Sequence, residues 1–95
     1  MADYKMDGDN LRDRSGSKIG YVSGSDIRDK NGNKVGNISG NDIRDKSGSK
    51  VGYVSGNDIR DKSGSKIGTL DDARKAIDNS HGGVTLAALW YFFVR

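Results

Sequence analysis

Hydrophobic residues recur along this chain with a period of eight. One aliphatic residue begins each octad, and a glycine follows it after five residues. A helix does not account for this period, because eight residues advance an α-helix by about 80° beyond two full turns and each interior glycine costs about 1 kcal/mol. The pattern therefore predicts short strands separated by Ser-Gly and Asn-Gly turns. The aliphatic positions are Leu11, Ile19, Ile27, Val35, Ile43, Val51, Ile59 and Ile67.

Two octads make a sixteen-residue tandem repeat. The units 27–42 and 43–58 are identical at twelve of their sixteen positions. We assign residues 1–68 to a β-repeat region and residues 69–95 to a C-terminal segment that packs on the sheet. The region consists of a degenerate half-repeat, 3–10, that caps the array, followed by repeats 11–26, 27–42, 43–58 and 59–70.

The predicted fold is mainly β, with the strands arranged as an antiparallel meander; a β-solenoid with one coil per repeat is the alternative. If every loop has three residues, as in Lys30-Asn31-Gly32, then Ile27 lies opposite Val35 and Val35 opposite Ile43. All aliphatic residues then form one continuous row, although Arg28 is placed beside Lys34. A two-residue turn would instead set Ile27 against Gly36.

The aliphatic row needs a cover, and the composition changes after Gly68. Thr69 resembles the N-cap of a helix that His81, Gly82 and Gly83 would end. Residues 84–94 then form an uncharged apolar run. We predict a second, buried helix there, with a closing β-strand as the alternative. The residues expected to cover the sheet or to mediate assembly are Leu86, Leu89, Trp90, Phe92 and Phe93.

Residues 84–94 are too few to span a bilayer, which takes about 20 apolar residues. Contact with a membrane surface through this run stays open.

Composition excludes many chemistries. The chain has no Cys and a single His, so it offers neither thiolate chemistry nor a multi-histidine metal centre, and we expect no cofactor and no metal site. The net charge of +3 comes from interleaved signs, which is typical of a solvated surface rather than of specific nucleic-acid binding. No basic segment followed by an apolar run begins the chain, so we expect a cytoplasmic protein by default, with signal-independent export as an alternative.

Only a few residues suggest binding chemistry. Tyr21 and Tyr53 occupy equivalent repeat positions and are candidates for stacking a ligand. His81 is interpreted as a capping or solvated side chain rather than a catalytic base. No catalytic residue is expected, and we predict that the protein is not an enzyme.

The pattern Ile-Arg-Asp-Lys-x-Gly-x-Lys-Val-Gly-x-Val is similar to short tandem repeats in uncharacterised bacterial proteins, some of which also end in a hydrophobic segment. The resemblance covers residues 11–68 and carries no function, site or cofactor. It points to a bacterial or phage origin.

Two functional hypotheses follow. The first is a non-enzymatic structural protein that self-assembles into a homo-oligomer or filament through its sheet and its apolar C-terminal segment. The second is a small binding module for a glycan, an anionic polymer or a membrane surface.

Overall fold

The computed structural model describes residues 3–79 and 82–95. Within them lies one ten-stranded sheet, in which the first nine strands pair antiparallel in sequence order and the tenth pairs parallel with the first. The antiparallel meander is therefore confirmed, and the β-solenoid alternative is wrong. The strands are β1 (Tyr4–Asp7), β2 (Asn10–Asp13), β3 (Lys18–Ser23), β4 (Asp26–Asp29), β5 (Lys34–Ser39), β6 (Asp42–Asp45), β7 (Lys50–Ser55), β8 (Asp58–Asp61), β9 (Lys66–Thr69) and β10 (Ile77–Asp78).

Three-residue loops join alternate pairs of strands. Between β4 and β5, the Asp29 N–H donates to the Asn33 carbonyl at 2.9 Å, and Gly32 has a φ of 90°. This loop is the one that the sequence predicted, with glycine supplying the left-handed conformation that its last position requires.

The remaining hairpins have a shorter turn. Between β5 and β6, only Gly40 and Asn41 separate the paired residues Ser39 and Asp42. Gly40 has a φ of 60°, as expected at the first central position of a type II′ turn. The prediction that every loop has three residues is therefore wrong here, and the two turn types alternate along the sheet.

A β-bulge beside each three-residue loop changes the predicted register. Ile27 pairs with Gly36, so Val35 is an additional residue on its strand. The predicted pairing of Ile27 with Val35 is therefore wrong. The predicted pairing of Val35 with Ile43 is also wrong, because the short turn sets Ile43 opposite Ile38.

The eight aliphatic residues consequently divide into two sets instead of one continuous row. Four are fully buried, at one per repeat, and the other four are half-buried. A glycine is the cross-strand partner of each buried residue. The buried residues are Leu11, Ile27, Ile43 and Ile59, and their glycine partners are Gly20, Gly36, Gly52 and Gly68.

Helix α1 (Leu70–Ala76) follows β9 directly and leads into β10 at the other edge of the sheet. Its seven residues rise only about 10 Å, whereas ten strands laid flat would place the two edges about 43 Å apart. The sheet must therefore curl until its edges approach each other. Thr69 caps α1 in a reciprocal pair of hydrogen bonds with Asp72.

The helix α1 ends earlier than the sequence predicted. Ile77 has an extended backbone and pairs with Tyr4 of β1, which removes it from the helix. The buried Ile77 side chain joins the core. His81, the predicted helix stop and capping residue, lies outside the described residues.

The C-terminal run forms helix α2 (Gly83–Leu89), continued by a π-helix (Trp90–Val94). The predicted second helix is confirmed, and the closing-strand alternative is wrong. Four successive residues of α2, from Leu86 to Leu89, are buried, so this helix is covered all round. It contacts β5, β6, β7 and α1 and lies on the concave side of the sheet. None of the helices in residues 3–79 and 82–95 is long and apolar enough to cross a bilayer.

Candidate functional site

The inner face of the sheet serves packing. Leu86 and Leu89 are 0% and 1% exposed. The half-buried rings of Trp90, Phe92 and Phe93 rest directly on glycines of the sheet, so that an added Cβ at any of these glycines would overlap a ring. The glycines, in the same order, are Gly68, Gly36 and Gly20.

The two tyrosines predicted to stack a ligand lie on the outer face, and each ring already has a lysine over one of its faces. The Lys18 ammonium lies 4.3 Å from the centre of the Tyr21 ring, and the Lys50 ammonium lies 4.4 Å from that of Tyr53. Each cation–π contact occupies one face of its ring. The structure places Tyr21 and Tyr53 on separate strands, β3 and β7, so it does not bring them together in one site.

The same outer face carries rows of like charge. At each bulge an arginine lies directly across from a lysine of the next strand, an arrangement that destabilises a sheet unless counter-charges offset it. The sequence anticipated this proximity for Arg28 and Lys34. It recurs in all four repeats, as Arg12–Lys18, Arg28–Lys34, Arg44–Lys50 and Arg60–Lys66.

A single aspartate holds both cations in three of the repeats. Asp58 illustrates the geometry: its Oδ2 lies 3.0 Å from Arg60 Nη2, and its Oδ1 lies 3.5 Å from Lys66 Nζ. Arg60 Nη1 also donates a hydrogen bond to the carbonyl of Gly64 in the loop, at 2.7 Å. Asp26 and Asp42 make the same double contact with the arginine and lysine of the repeat that follows each of them.

Asp26 receives additional stabilisation of its charge. The Asn37 side-chain amide donates to its carboxylate at 3.0 Å. This hydrogen bond, followed by the nearby Lys34 and Arg28 cations, lowers the pKa of Asp26 despite some desolvation.

A second set of aspartates lies at the three-residue loops and is committed to the backbone. In the first loop, Asp13 Oδ1 accepts the backbone N–H groups of Ser15 and Ser17, each at 3.0 Å. These bonds, together with the Ser15 hydroxyl as the largest cause, lower the pKa of Asp13. Such Asx turns fix the loop conformation. Asp29, Asp45 and Asp61 accept the equivalent pairs of N–H groups.

The outer face therefore retains a surplus of positive charge. Among the described residues, seven of the eight cations of the Arg–Lys pairs share ion pairs with only four carboxylates, Asp7, Asp26, Asp42 and Asp58, and Lys18 has none. The sequence pattern showed the cations but not this concentration on one face, since the strand positions that face outward depend on the bulges. We call this surface the cationic face.

A family model described as "5-fold beta-flower protein" matches residues 3–94. The chain belongs to this family. Membership in the β-flower family agrees with the tandem β-repeats, and it carries no function with it. Comparison with curated proteins and with solved structures gave no match.

Proposed function

We propose that this β-flower protein is a non-enzymatic binding module that holds an acidic glycan along its cationic face. The observation that carries the proposal is the cross-strand Arg–Lys pair of every repeat. Adjacent pairs are two strands apart, or about 9.5 Å along the sheet. A flexible polyanion lying across the strands would meet a new cation pair at each such step.

The outer face favours a glycan over a single-stranded nucleic acid. Proteins that bind single strands without sequence preference offer exposed aromatic faces on which successive bases stack. Here the Lys18 and Lys50 ammonium groups cover the Tyr21 and Tyr53 rings. What remains available is charge and hydrogen-bonding groups, which suit carboxylate, sulfate and hydroxyl groups of a sugar chain.

Binding to polygalacturonate, measured by isothermal titration calorimetry at several salt concentrations, tests the proposal. We expect affinity that falls as salt rises, and no binding to neutral dextran. Single-stranded DNA and anionic lipid vesicles serve as competing ligands. Tighter binding to either of these than to polygalacturonate would contradict the proposal.

A matched pair of triple variants separates the effect of the cationic face on binding from the effect of net charge. K34Q/K50Q/K66Q removes three strand lysines that belong to the Arg–Lys pairs. The control, K30Q/K46Q/K62Q, removes three exposed lysines at the loops and changes the net charge equally. We expect a much larger loss of affinity in the strand variant. Equal losses would show that binding depends on overall charge alone.

Self-assembly is a second candidate function. The edges of the sheet do not favour self-assembly. The edge strand β10 has only two residues, and the other edge strand, β9, is followed directly by helix α1, so neither offers a long strand for another chain to pair with. The half-buried aromatic π-helix, Trp90–Val94, favours it instead, since it leaves apolar surface accessible. Light scattering with electron microscopy tests this candidate: a closed oligomer or filament supports it, and a monomer at every concentration contradicts it.

A further inference from the structure

The first repeat departs from the other three at its cation pair. Asn10 directly precedes this repeat, at the position that Asp26, Asp42 and Asp58 hold directly before the later repeats. Arg12 consequently takes a different partner, with its Nε 3.2 Å from Asp7 Oδ2. Among the described residues, Lys18 makes no ion pair with any carboxylate.

A further cation lies in the same row. Lys5 of β1 is the cross-strand neighbour of Arg12, while Lys18 is its neighbour on the other side. In the third repeat, Arg44 has the uncharged Asn37 as its neighbour on one side and the cationic Lys50 on the other. The first repeat thus places three cations side by side where the third places two.

Nearby acids compensate this charge only in part. Asp7 contacts Arg12 alone, and its side chain is 64% exposed. Asp78 is paired with Lys5 in the backbone register of β10 and β1, and it makes no ion pair within the described residues. The Asn10 amide, the Arg12 Nη2 group and the Lys18 ammonium donate no hydrogen bond to the described residues, so these donors stay available, with Lys18 lying over the Tyr21 ring.

We propose that Lys5, Asn10, Arg12 and Lys18 form an oxyanion-binding subsite, which takes a carboxylate or sulfate group of the glycan. The later repeats show the chemistry that the subsite would use, since one carboxylate there contacts the arginine Nη2 and the lysine Nζ of each pair. In the first repeat the uncharged Asn10 amide offers a donor to such a group instead of repelling it. The inference rests on the proposed function for its ligand class, and it locates where an acidic chain is held most tightly.

Reciprocal substitutions test the subsite, because the third repeat also has a tyrosine under its lysine. N10D places an aspartate before the first repeat, as Asp42 stands before Arg44, Lys50 and Tyr53 of the third. D42N makes the opposite change. Each substitution introduces a residue that another repeat already has at that position, so both variants are expected to fold.

The assay is amide NMR titration with sodium sulfate or sodium glucuronate, against sodium chloride at equal ionic strength. In the wild type we expect saturable shifts at Asn10–Arg12 and Lys18. N10D should weaken binding on the order of fivefold or more. D42N should create new, weaker shifts around Arg44 and Lys50. A response to sulfate alone or to glucuronate alone identifies which anionic group is preferred, and either supports the subsite.

Other outcomes would overturn the inference. They are the absence of saturable shifts in the wild type, equal affinity in N10D, or no new shifts in D42N. These results are independent of polygalacturonate binding: the polymer can bind while the subsite fails, or small anions can bind at Lys18 while the polymer does not.

Discussion

Replacement of Gly36 by alanine should destabilise the fold through two separate contacts. The added Cβ would lie 2.8 Å from the Arg44 carbonyl oxygen and would also overlap the Phe92 ring. Gly52 provides a matched control, because its Cβ would lie 2.7 Å from the Arg60 carbonyl oxygen with no other heavy atom closer than 3.8 Å. The difference between the two variants therefore isolates the aromatic contact.

The magnitude follows from the cost of overpacking. Forcing an additional methyl group into a filled site costs about 1–3 kcal/mol. We expect Gly36→Ala to lower the free energy of unfolding by about that amount more than Gly52→Ala does. Urea unfolding followed by circular dichroism measures both values.

Phe92→Leu supplies the second half of the cycle. In the Gly36→Ala background it should recover part of the lost stability, because the smaller side chain makes room for the methyl group. In the Gly52→Ala background, Phe92→Leu should lower the free energy of unfolding by the same amount as it does in the wild type. If Gly36→Ala and Gly52→Ala destabilise equally, and Phe92→Leu adds equally to both, the aromatic rings do not rest on the sheet as described.

Three other predictions concern the core, the cationic face and the C-terminal run. Ile43→Asp should lower the free energy of unfolding by several kcal/mol, because Ile43 is 0% exposed. Arg44→Ser, on the outer face, should lower it by less than about 1 kcal/mol. Equal thermal destabilisation by the two substitutions would show that the faces are wrongly assigned. The Asn37 hydrogen bond lowers the pKa of Asp26 below its ordinary 3.8, so ionised Asp26 stabilises the fold above that pH and the contribution is lost as pH falls through the lowered value. The destabilisation caused by Asp26→Asn, measured by urea unfolding, should therefore shrink in acid, and a pH-independent difference would contradict this. Deletion of residues 84–95 should abolish amide-exchange protection throughout the repeats, since α2 fills the concave side; retained protection in strands 27–54 would show that the run is dispensable for folding.

The strands, the positions of the turns and the buried C-terminal helix could be predicted from local patterns, but the type of every second turn could not. A period of eight with one glycine per octad is incompatible with a helix, and the apolar run 84–94 has no charge that would keep it at the surface. The three-residue loop at residues 30–32 was likewise predictable, because its glycine and its neighbours lie within a few positions of one another.

The register follows from the bulge beside each three-residue loop, which the aliphatic period does not show. Ile27 pairs with Gly36 rather than with Val35, and this pairing leaves room for the Phe92 ring, which lies 56 positions further along the sequence. A local pattern carries no information on such a contact. The aliphatic period alone therefore favoured the more regular row, which the folded protein does not have.

The same limit applies to the candidate site. The sequence shows sixteen cations and thirteen acids with interleaved signs, which is typical of a neutralised surface. Only the fold reveals that the loop aspartates, such as Asp13, are bound to backbone N–H groups while the arginines and lysines meet across neighbouring strands. Electrostatic interaction depends on distance in space. That Lys18 makes no ion pair within residues 3–79 and 82–95 therefore became apparent only when β1, β2 and β3 were placed side by side.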